Sequence, residues 1–357
     1  MLSWIATRLG IFDRLRTAWR QDVRREIDPL STDVKQLVQS VHALKTSLAQ
    51  TEERQARAEL QTLQLRQVLL WNEKHRDQLA ALPALLDPPR IVAHVRAAID
   101  RTPLEVDPFP HIVVDSVLPL EVYKLLLRAI PPTTFFGGQA PKHNLRVPID
   151  AGPALSCRVW QFVDTIVARE AIIPAVLHKF REPIQRHYDT IFGPSFRARA
   201  EAMPQAPSGG RVMLRRPGYY LAPHRDPKRS VITCLMYLAK ASDNETYGTE
   251  IYRVIDDRES SYIQTYYPEE HGCRCELVKV VPYRSNTMLV FVNAQGAHGA
   301  RIPPDAPADL ERYAYQFYVG PGSDALAELI ANLPPTRQAM WQDRKPGSQD
   351  VEPLSVL

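Results

Sequence analysis

The chain contains few cysteines and no long apolar segment, which argues against two classes of protein. Four cysteines in 357 residues are too few for a disulfide framework. Cys273 and Cys275 lie near His271, but these three residues are too few for a zinc site. Because the few cysteines form no disulfide framework, the sequence predicts a reduced, cytoplasmic protein. No apolar run approaches the roughly 20 residues needed to span a bilayer, and no small-residue cleavage site marks a signal peptide.

The chain also has little net charge. The formal charge is +4, from 44 Lys and Arg against 40 Asp and Glu, and we therefore expect no general binding of nucleic acid. Hydrophobic residues make up 45% and charged residues 24% of the chain, which is typical of a globular protein. The length predicts two domains, or one large domain with an appendage.

Residues 1–30 have the pattern of a basic amphipathic helix. Apolar residues, Trp4 and Trp19 among them, alternate with six arginines between residues 8 and 25. One interpretation is peripheral contact of residues 1–25 with the anionic inner face of a membrane. The other, which we favour, is docking on the protein itself or on a partner.

Residues 31–82 have the pattern of a coiled-coil helix. Apolar residues recur at steps of three and four over two heptads, at Val34, Leu37, Val41, Leu44 and Leu48. This spacing favours homo-oligomerisation through residues 34–70; the alternative is one long helix folded back on the rest of the chain. Prolines punctuate the end of the segment, and residues 83–104 are predicted to form a linker with a short helix.

The residues with the clearest chemistry are His224, Asp226 and His298. Side chains two positions apart on a strand point to the same face, so His224 and Asp226 can share one site, and His298 follows Asp226 by 72 residues. Two imidazoles and one carboxylate are the facial ligand set of a non-haem Fe(II), and they leave other coordination positions open. His187-Tyr-Asp189 is a weaker candidate, because its surroundings predict a helix, where positions two apart face different ways.

Arg312 begins a predicted strand that follows His298. Residues 311–319 alternate as a strand should. The planar guanidinium pairs bidentately with a carboxylate, which a lysine does less specifically. An arginine at this position predicts a binding site for an anion beside the metal.

Together these motifs resemble the Fe(II)- and 2-oxoglutarate-dependent dioxygenases, in particular their prolyl 4-hydroxylase-like branch. The resemblance covers roughly residues 105–320 and is carried by three runs: Val231-Ile-Thr-Cys-Leu-Met-Tyr-Leu238, Tyr247-Gly-Thr-Glu-Ile-Tyr-Arg253 and Arg312-Tyr-Ala-Tyr-Gln-Phe-Tyr. It implies an α+β fold whose core, residues 105–322, is a double-stranded β-helix of the jelly-roll or cupin-like type with flanking helices. Residues 323–357 are predicted to form a C-terminal helix and a mobile tail.

The resemblance also implies the roles of the site residues. His224, Asp226 and His298 would hold Fe(II), while Arg312, Tyr237 and Thr233 would bind 2-oxoglutarate. Molecular oxygen would be the second cosubstrate, with ascorbate as an auxiliary reductant. The reaction would hydroxylate a substrate and release succinate and CO2. For the substrate, the hypotheses are peptidyl proline and a surface-glycan or lipid-linked precursor.

The sequence departs from this family at the rim of the expected site. Arg216 stands where those enzymes carry an aromatic residue, and Arg216, Tyr220 and Arg301 are candidate substrate-contacting residues. Arg301 is also a second candidate for the role of Arg312. A polar insertion at residues 254–276 is a candidate lid, because long loops on a rigid scaffold often select the substrate.

Two other functional classes remain open from the sequence. The first is a cupin-like metal enzyme that does not use 2-oxoglutarate and has no use for Arg312. The second is a non-catalytic scaffold, in which the coiled coil is the working part.

Overall fold

The computed structural model describes residues 2–257, 263–294 and 296–341. Internal contacts divide the chain into two units between Leu65 and Arg66. Gln295, in the motif before His298, and the predicted tail from Pro346 lie outside the described residues.

The first unit consists of one helix, α1, which begins at Leu2 and continues to Lys74 in the second unit. The helix runs through Pro29, so the predicted division near residue 30 is not a break in the helix. The apolar side chains of the predicted heptads are between 52% and 69% exposed, and their use as an interface stays a prediction. Within the described part of the chain, no helix is long and apolar enough to cross a membrane.

The second unit contains the other helices and all the strands of the described residues. The helices are α2 (Arg76–Leu85), α3 (Pro88–Arg101), α4 (Leu120–Arg128), α5 (Ala154–Phe162), α6 (Ile173–Lys179), α7 (Arg181–Ile191), α8 (Arg197–Glu201), α9 (Ser323–Ala331) and α10 (Pro335–Gln338). A π-helical segment, Val163–Ile172, joins α5 to α6, and short 3₁₀ turns occur at Thr133–Phe135, Pro194–Phe196 and Pro268–His271.

Ten strands form two antiparallel sheets within the described residues. The strands are β1 (His111–Val114), β2 (Lys142–Arg146), β3 (Gln205–Arg215), β4 (Tyr220–His224), β5 (Ile232–Tyr237), β6 (Thr249–Ile255), β7 (Arg274–Val281), β8 (Met288–Val292), β9 (Ala297–Arg301) and β10 (Arg312–Pro321). One sheet has the order β1-β8-β5-β10-β3-β2 and the other β4-β9-β6-β7. The predicted combination of helices with antiparallel sheet is confirmed, while closure into a barrel stays a prediction.

The central strands β5 and β8 of the six-stranded sheet are buried on both faces because they are apolar at nearly every position. On β5, Cys234 and Met236 belong to a large core cluster that includes the helices. Leu235 and Tyr237 point the opposite way, into a smaller cluster that contains Ile251 of the four-stranded sheet. One face of the larger sheet therefore packs on helices and the other faces the smaller sheet, which fixes the strands that carry the site.

Trp160 links the helices to this sheet, and its truncation should destabilise the second unit. The side chain is fully buried, its Nε1 donates to the carbonyl of Ala129 at 2.9 Å, and its ring lies 5.4 Å from that of Tyr315. We expect Trp160→Ala to lower the free energy of unfolding by about 3–5 kcal/mol, because a large cavity replaces the indole. Urea unfolding followed by circular dichroism measures the change.

The matched control is Trp19→Ala on α1, where the indole is 67% exposed. It should leave the unfolding midpoint of the second unit unchanged. Equal effects of the two substitutions would contradict the assignment of Trp160 to the core.

Candidate metal and anion site

The structure brings His224, Asp226 and His298 together. His224 ends β4, and β9 pairs with β4 so that His298 lies directly opposite His224, with ring centroids 4.2 Å apart. The Nε2 atoms of His224 and His298 lie 3.7 and 3.6 Å from the two carboxylate oxygens of Asp226. All three side chains are buried, and theirs is the only group of potential metal ligands of this kind among the described residues.

Asn293 fixes the backbone at Asp226, two residues past the end of β4. The amide N–H of Asp226 donates to the Asn293 side-chain oxygen at 3.0 Å, and the Asn293 side-chain nitrogen donates to the carbonyl of Asp226 at 2.7 Å. The sequence analysis did not assign this role to Asn293. The available signal was an asparagine directly after a fully apolar strand, β8.

Hydrogen bonds also orient the side chains of the site. Thr233 donates to one carboxylate oxygen of Asp226 at 2.6 Å, and the hydroxyl of Tyr318 donates to the other at 3.2 Å. Nδ1 of His224 lies 2.9 Å from the carbonyl of Ala222 and donates to it, which leaves the lone pair on Nε2 for a metal. Thr233 therefore contacts Asp226 and does not line the cavity described below.

Burial and neighbouring groups together set the protonation states that a metal requires. Burial, reinforced by His224, lowers the pKa of His298 to about 3, so its imidazole is neutral at physiological pH. Burial alone would raise the pKa of Asp226, but His298, His224 and the Thr233 hydroxyl outweigh it and hold that pKa below its usual range. An ionised carboxylate and a neutral imidazole are the forms that coordinate divalent cations.

A cavity of about 200 Å³ opens beside this group, and Arg312 lines it. The Arg312 side chain is only 4% exposed. Within the described residues, its Nε and Nη2 atoms have no hydrogen-bond partner, and no carboxylate forms an ion pair with it. The guanidinium lies over the rings of Tyr237 and Tyr283, at 5.6 and 5.1 Å from their centroids.

Tyr237 lies under Arg312 and does not line the cavity. Its hydroxyl donates to the hydroxyl of Thr249 at 2.8 Å, and Thr249 does line the cavity. Burial raises the pKa of Tyr237, so the phenol stays protonated. Tyr237 supports Arg312 from below, and of these two hydroxyl-bearing residues only Thr249 lines the cavity.

The three predicted rim residues lie outside the cavity lining. Arg216 pairs with Glu311 at 2.7 Å, and Arg301 pairs with Glu250 at 2.9 Å. Tyr220 is 60% exposed, with the guanidinium of Arg301 5.6 Å from its ring. Because its charge already has a partner, Arg301 is a weaker anion-binding candidate than Arg312.

Part of the predicted insertion reaches the site. Arg225 and Tyr266 exchange two backbone hydrogen bonds, at 2.8 and 3.0 Å, which bring the segment next to β4. Thr265 and Tyr267 line the cavity, and the ring of Tyr267 lies 5.7 Å from that of His224. Residues 258–262 of the insertion lie outside the described residues.

The alternative candidates from the sequence do not assemble into metal sites among the described residues. His187 is buried on α7, while Asp189 accepts a hydrogen bond from Arg197 at 2.7 Å. His271 stacks on Tyr266, and Cys273 and Cys275 are free thiols. None of these residues belongs to a group of potential metal ligands.

Sequence comparison leaves the chain unassigned, since no family model and no curated protein matches it. Similar solved structures include an oxidoreductase of the 2OG-Fe(II) oxygenase family from Burkholderia pseudomallei, at 10% identity over 64% of this chain and 89% of that chain, with a TM-score of 0.36. A prolyl 4-hydroxylase from Phytophthora capsici gives 14% identity over 71% and 75%, with a TM-score of 0.38. HygX from Streptomyces hygroscopicus, solved with nickel and 2-oxoglutarate bound, gives 12% over 60% and 83%, with a TM-score of 0.34. Similarity this distant assigns no reaction to the present chain, so the assignment depends on the site itself.

Removing the Tyr318 hydroxyl should weaken metal binding. Tyr318→Phe deletes the donor to Asp226, and loss of a hydrogen bond to a metal-binding carboxylate typically costs 10- to 100-fold in affinity. We expect the affinity for Mn(II), which replaces Fe(II) in a redox-stable assay, to fall by roughly tenfold. Electron paramagnetic resonance of free Mn(II) measures it.

Tyr315→Phe is the matched control on the same strand. The Tyr315 hydroxyl is buried and has no partner among the described atoms, so its removal should not change the affinity. Equal losses in the two variants would show that Tyr318 does not act through Asp226.

Proposed function

We propose that the chain is an Fe(II)- and 2-oxoglutarate-dependent dioxygenase that hydroxylates a C–H bond of its substrate and releases succinate and CO2. Two features in one cavity support this function: a set of metal ligands and a buried arginine without a counter-ion. His224, Asp226 and His298 would hold the iron. Arg312 would bind the carboxylate of 2-oxoglutarate that lies away from the metal.

The ligand set fits iron in chemistry and in placement. Two imidazoles and one carboxylate are borderline donors that suit Fe(II), and their donor atoms lie within 4.8 Å of one another. The single carboxylate neutralises only half the charge of a dication. The open face of the group and the remaining positive charge favour an anionic chelator.

Arg312 is the observation that carries the proposal. Burying a cation without a partner costs several kcal/mol, and nothing among the described residues supplies that partner. A dicarboxylate bound in the cavity would place one carboxylate at the metal and the other at the guanidinium. Among the three functional classes considered, only the 2-oxoglutarate enzyme gives Arg312 a ligand.

The protein would act by binding, orientation and exclusion of water. Bound Fe(II), 2-oxoglutarate and O2 supply the oxidising chemistry, which belongs to the metal and cosubstrates. Thr233 and Tyr318 hold the Asp226 carboxylate, and Tyr237 supports the guanidinium of Arg312. Thr265 and Tyr267 line the cavity from the insertion and would restrict the access of water to it.

The proposal also assigns roles to the catalytic domain and to helix α1. Residues 105–322 would form the catalytic domain, and Val34–Leu70 of α1 would join copies of the chain, since their apolar stripe is exposed along the helix. Of the two substrate hypotheses, peptidyl proline and a glycan or lipid-linked precursor, the positive charge of the cavity favours the second.

Replacing Arg312 should abolish high-affinity binding of 2-oxoglutarate. Truncating one partner of a buried, hydrogen-bonded charge pair costs 2 kcal/mol or more, which is at least about 30-fold in affinity. We expect that loss in Arg312→Ala, and a partial recovery in Arg312→Lys, which keeps the charge but lacks the planar fork. Isothermal titration of the Mn(II)-loaded protein with 2-oxoglutarate measures both.

Arg301→Ala is the control, because Arg301 was the second candidate from the sequence. It should leave the affinity for 2-oxoglutarate unchanged. Unchanged affinity in Arg312→Ala would favour the cupin-like enzyme, and loss only in Arg301→Ala would transfer the role to Arg301.

A further inference from the structure

The cavity carries more positive charge than iron and 2-oxoglutarate require. We infer that the substrate bears an oxyanionic group, a phosphate or a carboxylate, which Lys142, Arg211 and Arg215 bind. This inference rests on the proposed function and specifies the substrate class of the same site.

Three cations form a row across neighbouring strands. Arg215 of β3 is paired in register with Lys142 of β2 on one side and with Arg312 of β10 on the other. All three side chains line the cavity, as does Arg211, which points to the same face of β3 as Arg215. Like charges directly opposite each other on adjacent strands repel, and an anion bound among these side chains would relieve that repulsion.

No acidic side chain of the described residues neutralises the cations that are left for the substrate. Within the described residues, neither Lys142, Arg211 nor Arg215 forms an ion pair. Arg215 donates to neutral acceptors, the His143 carbonyl at 2.8 Å and the Asn144 side chain at 3.1 Å. Hydrogen bonds of this kind satisfy its donors but leave its charge uncompensated.

Arg211 is held in the same way, by neutral groups close to the metal ligands. It donates to Gln316 at 2.6 Å and to the Tyr318 hydroxyl at 3.0 Å, and its Nε atom is buried without a partner. The pKa of Lys142 is lowered by burial and by repulsion from Arg215 and Arg211. Repulsion of this kind is relieved when an anion binds between the cations.

The net charge of the cavity shows how much positive charge remains after Fe(II) and 2-oxoglutarate bind. Four cationic side chains and one carboxylate, Asp226, line it, which gives these five side chains a net charge of +3. Fe(II) adds two positive charges and 2-oxoglutarate removes two, so the excess stays at +3. Arg312 serves 2-oxoglutarate in this account, which leaves Lys142, Arg211 and Arg215 for the substrate.

This excess discriminates between the substrate hypotheses from the sequence. A neutral peptidyl proline would leave the buried Arg215 and the partly buried Arg211 without an anionic partner, at a cost in free energy. A phosphate or carboxylate group accepts hydrogen bonds from guanidinium and ammonium groups and neutralises them. A phosphate-bearing precursor therefore fits the cavity better than an uncharged peptide segment.

The test measures binding of simple anions while 2-oxoglutarate occupies its own site. Full-length protein is loaded with Mn(II) and saturating 2-oxoglutarate and is titrated calorimetrically with phenyl phosphate, benzoate and neutral benzyl alcohol. We expect saturable binding of an anion and none of the alcohol, and the preferred anion identifies phosphate or carboxylate as the recognised group. Lys142→Gln and Arg211→Gln should each weaken anion binding by roughly tenfold, the loss of one charged hydrogen bond.

Two controls make the result specific. Arg274→Gln removes an exposed arginine of β7, in the other sheet, and should leave anion binding unchanged. The affinity of Lys142→Gln for 2-oxoglutarate should stay within about twofold of the wild type, since a charged contact to 2-oxoglutarate would cost roughly tenfold.

Three outcomes would overturn the inference: no saturable anion binding, an equal loss in Arg274→Gln, or a matching loss of 2-oxoglutarate affinity in Lys142→Gln, which would assign the whole row to 2-oxoglutarate. Failure of the wild-type protein to bind 2-oxoglutarate is a separate result. It would overturn the proposed function and the substrate class with it, whereas normal 2-oxoglutarate binding without anion binding overturns only the substrate class.

Discussion

The burial of Arg312 without a counter-ion is the constraint on which the account depends. A guanidinium removed from water loses its hydration. The described residues replace it with neither a carboxylate nor a full set of hydrogen-bond acceptors. Two tyrosine rings below it offer partial compensation through their π faces. The remaining cost is borne by the fold and would be recovered by a bound anion, which is why we propose that the cavity binds one.

The two sheets together place Arg312 and the candidate metal ligands at one cavity. Arg312 begins β10, in the six-stranded sheet, while His224 and His298 lie on β4 and β9, in the four-stranded sheet. Asp226 follows β4 and is tied back to the larger sheet, because Thr233 of β5, Tyr318 of β10 and Asn293 after β8 all bind it. The Asp226 carboxylate is thus fixed from the opposite sheet, and small changes in sheet packing should alter the metal ligands.

Local patterns in the sequence predicted the residues that carry charge or bind metal, but not their supporting contacts. The two-residue spacing of His224 and Asp226 and an arginine at the start of a strand are short-range signals. Asn293 and Tyr318 act on Asp226, which lies 67 and 92 residues away in the chain, and Thr249 acts through a contact between the two sheets. A single sequence does not reveal such contacts. The alignment of Lys142 with Arg215 depends on the register of β2 against β3, and register is set by tertiary packing. The sequence pattern also predicted two segments that meet near residue 30, whereas the helix continues through Pro29.

The most direct test of the central claim is anaerobic absorption spectroscopy of the full-length protein with Fe(II) and 2-oxoglutarate. Chelation of the metal by 2-oxoglutarate gives a weak visible metal-to-ligand charge-transfer band. The account predicts this band in the wild type and its loss in His224→Ala, with His187→Ala as a control that keeps it. Proven iron binding without the band would contradict the use of 2-oxoglutarate and favour a different metal enzyme, and absence of iron binding would contradict the metal site itself.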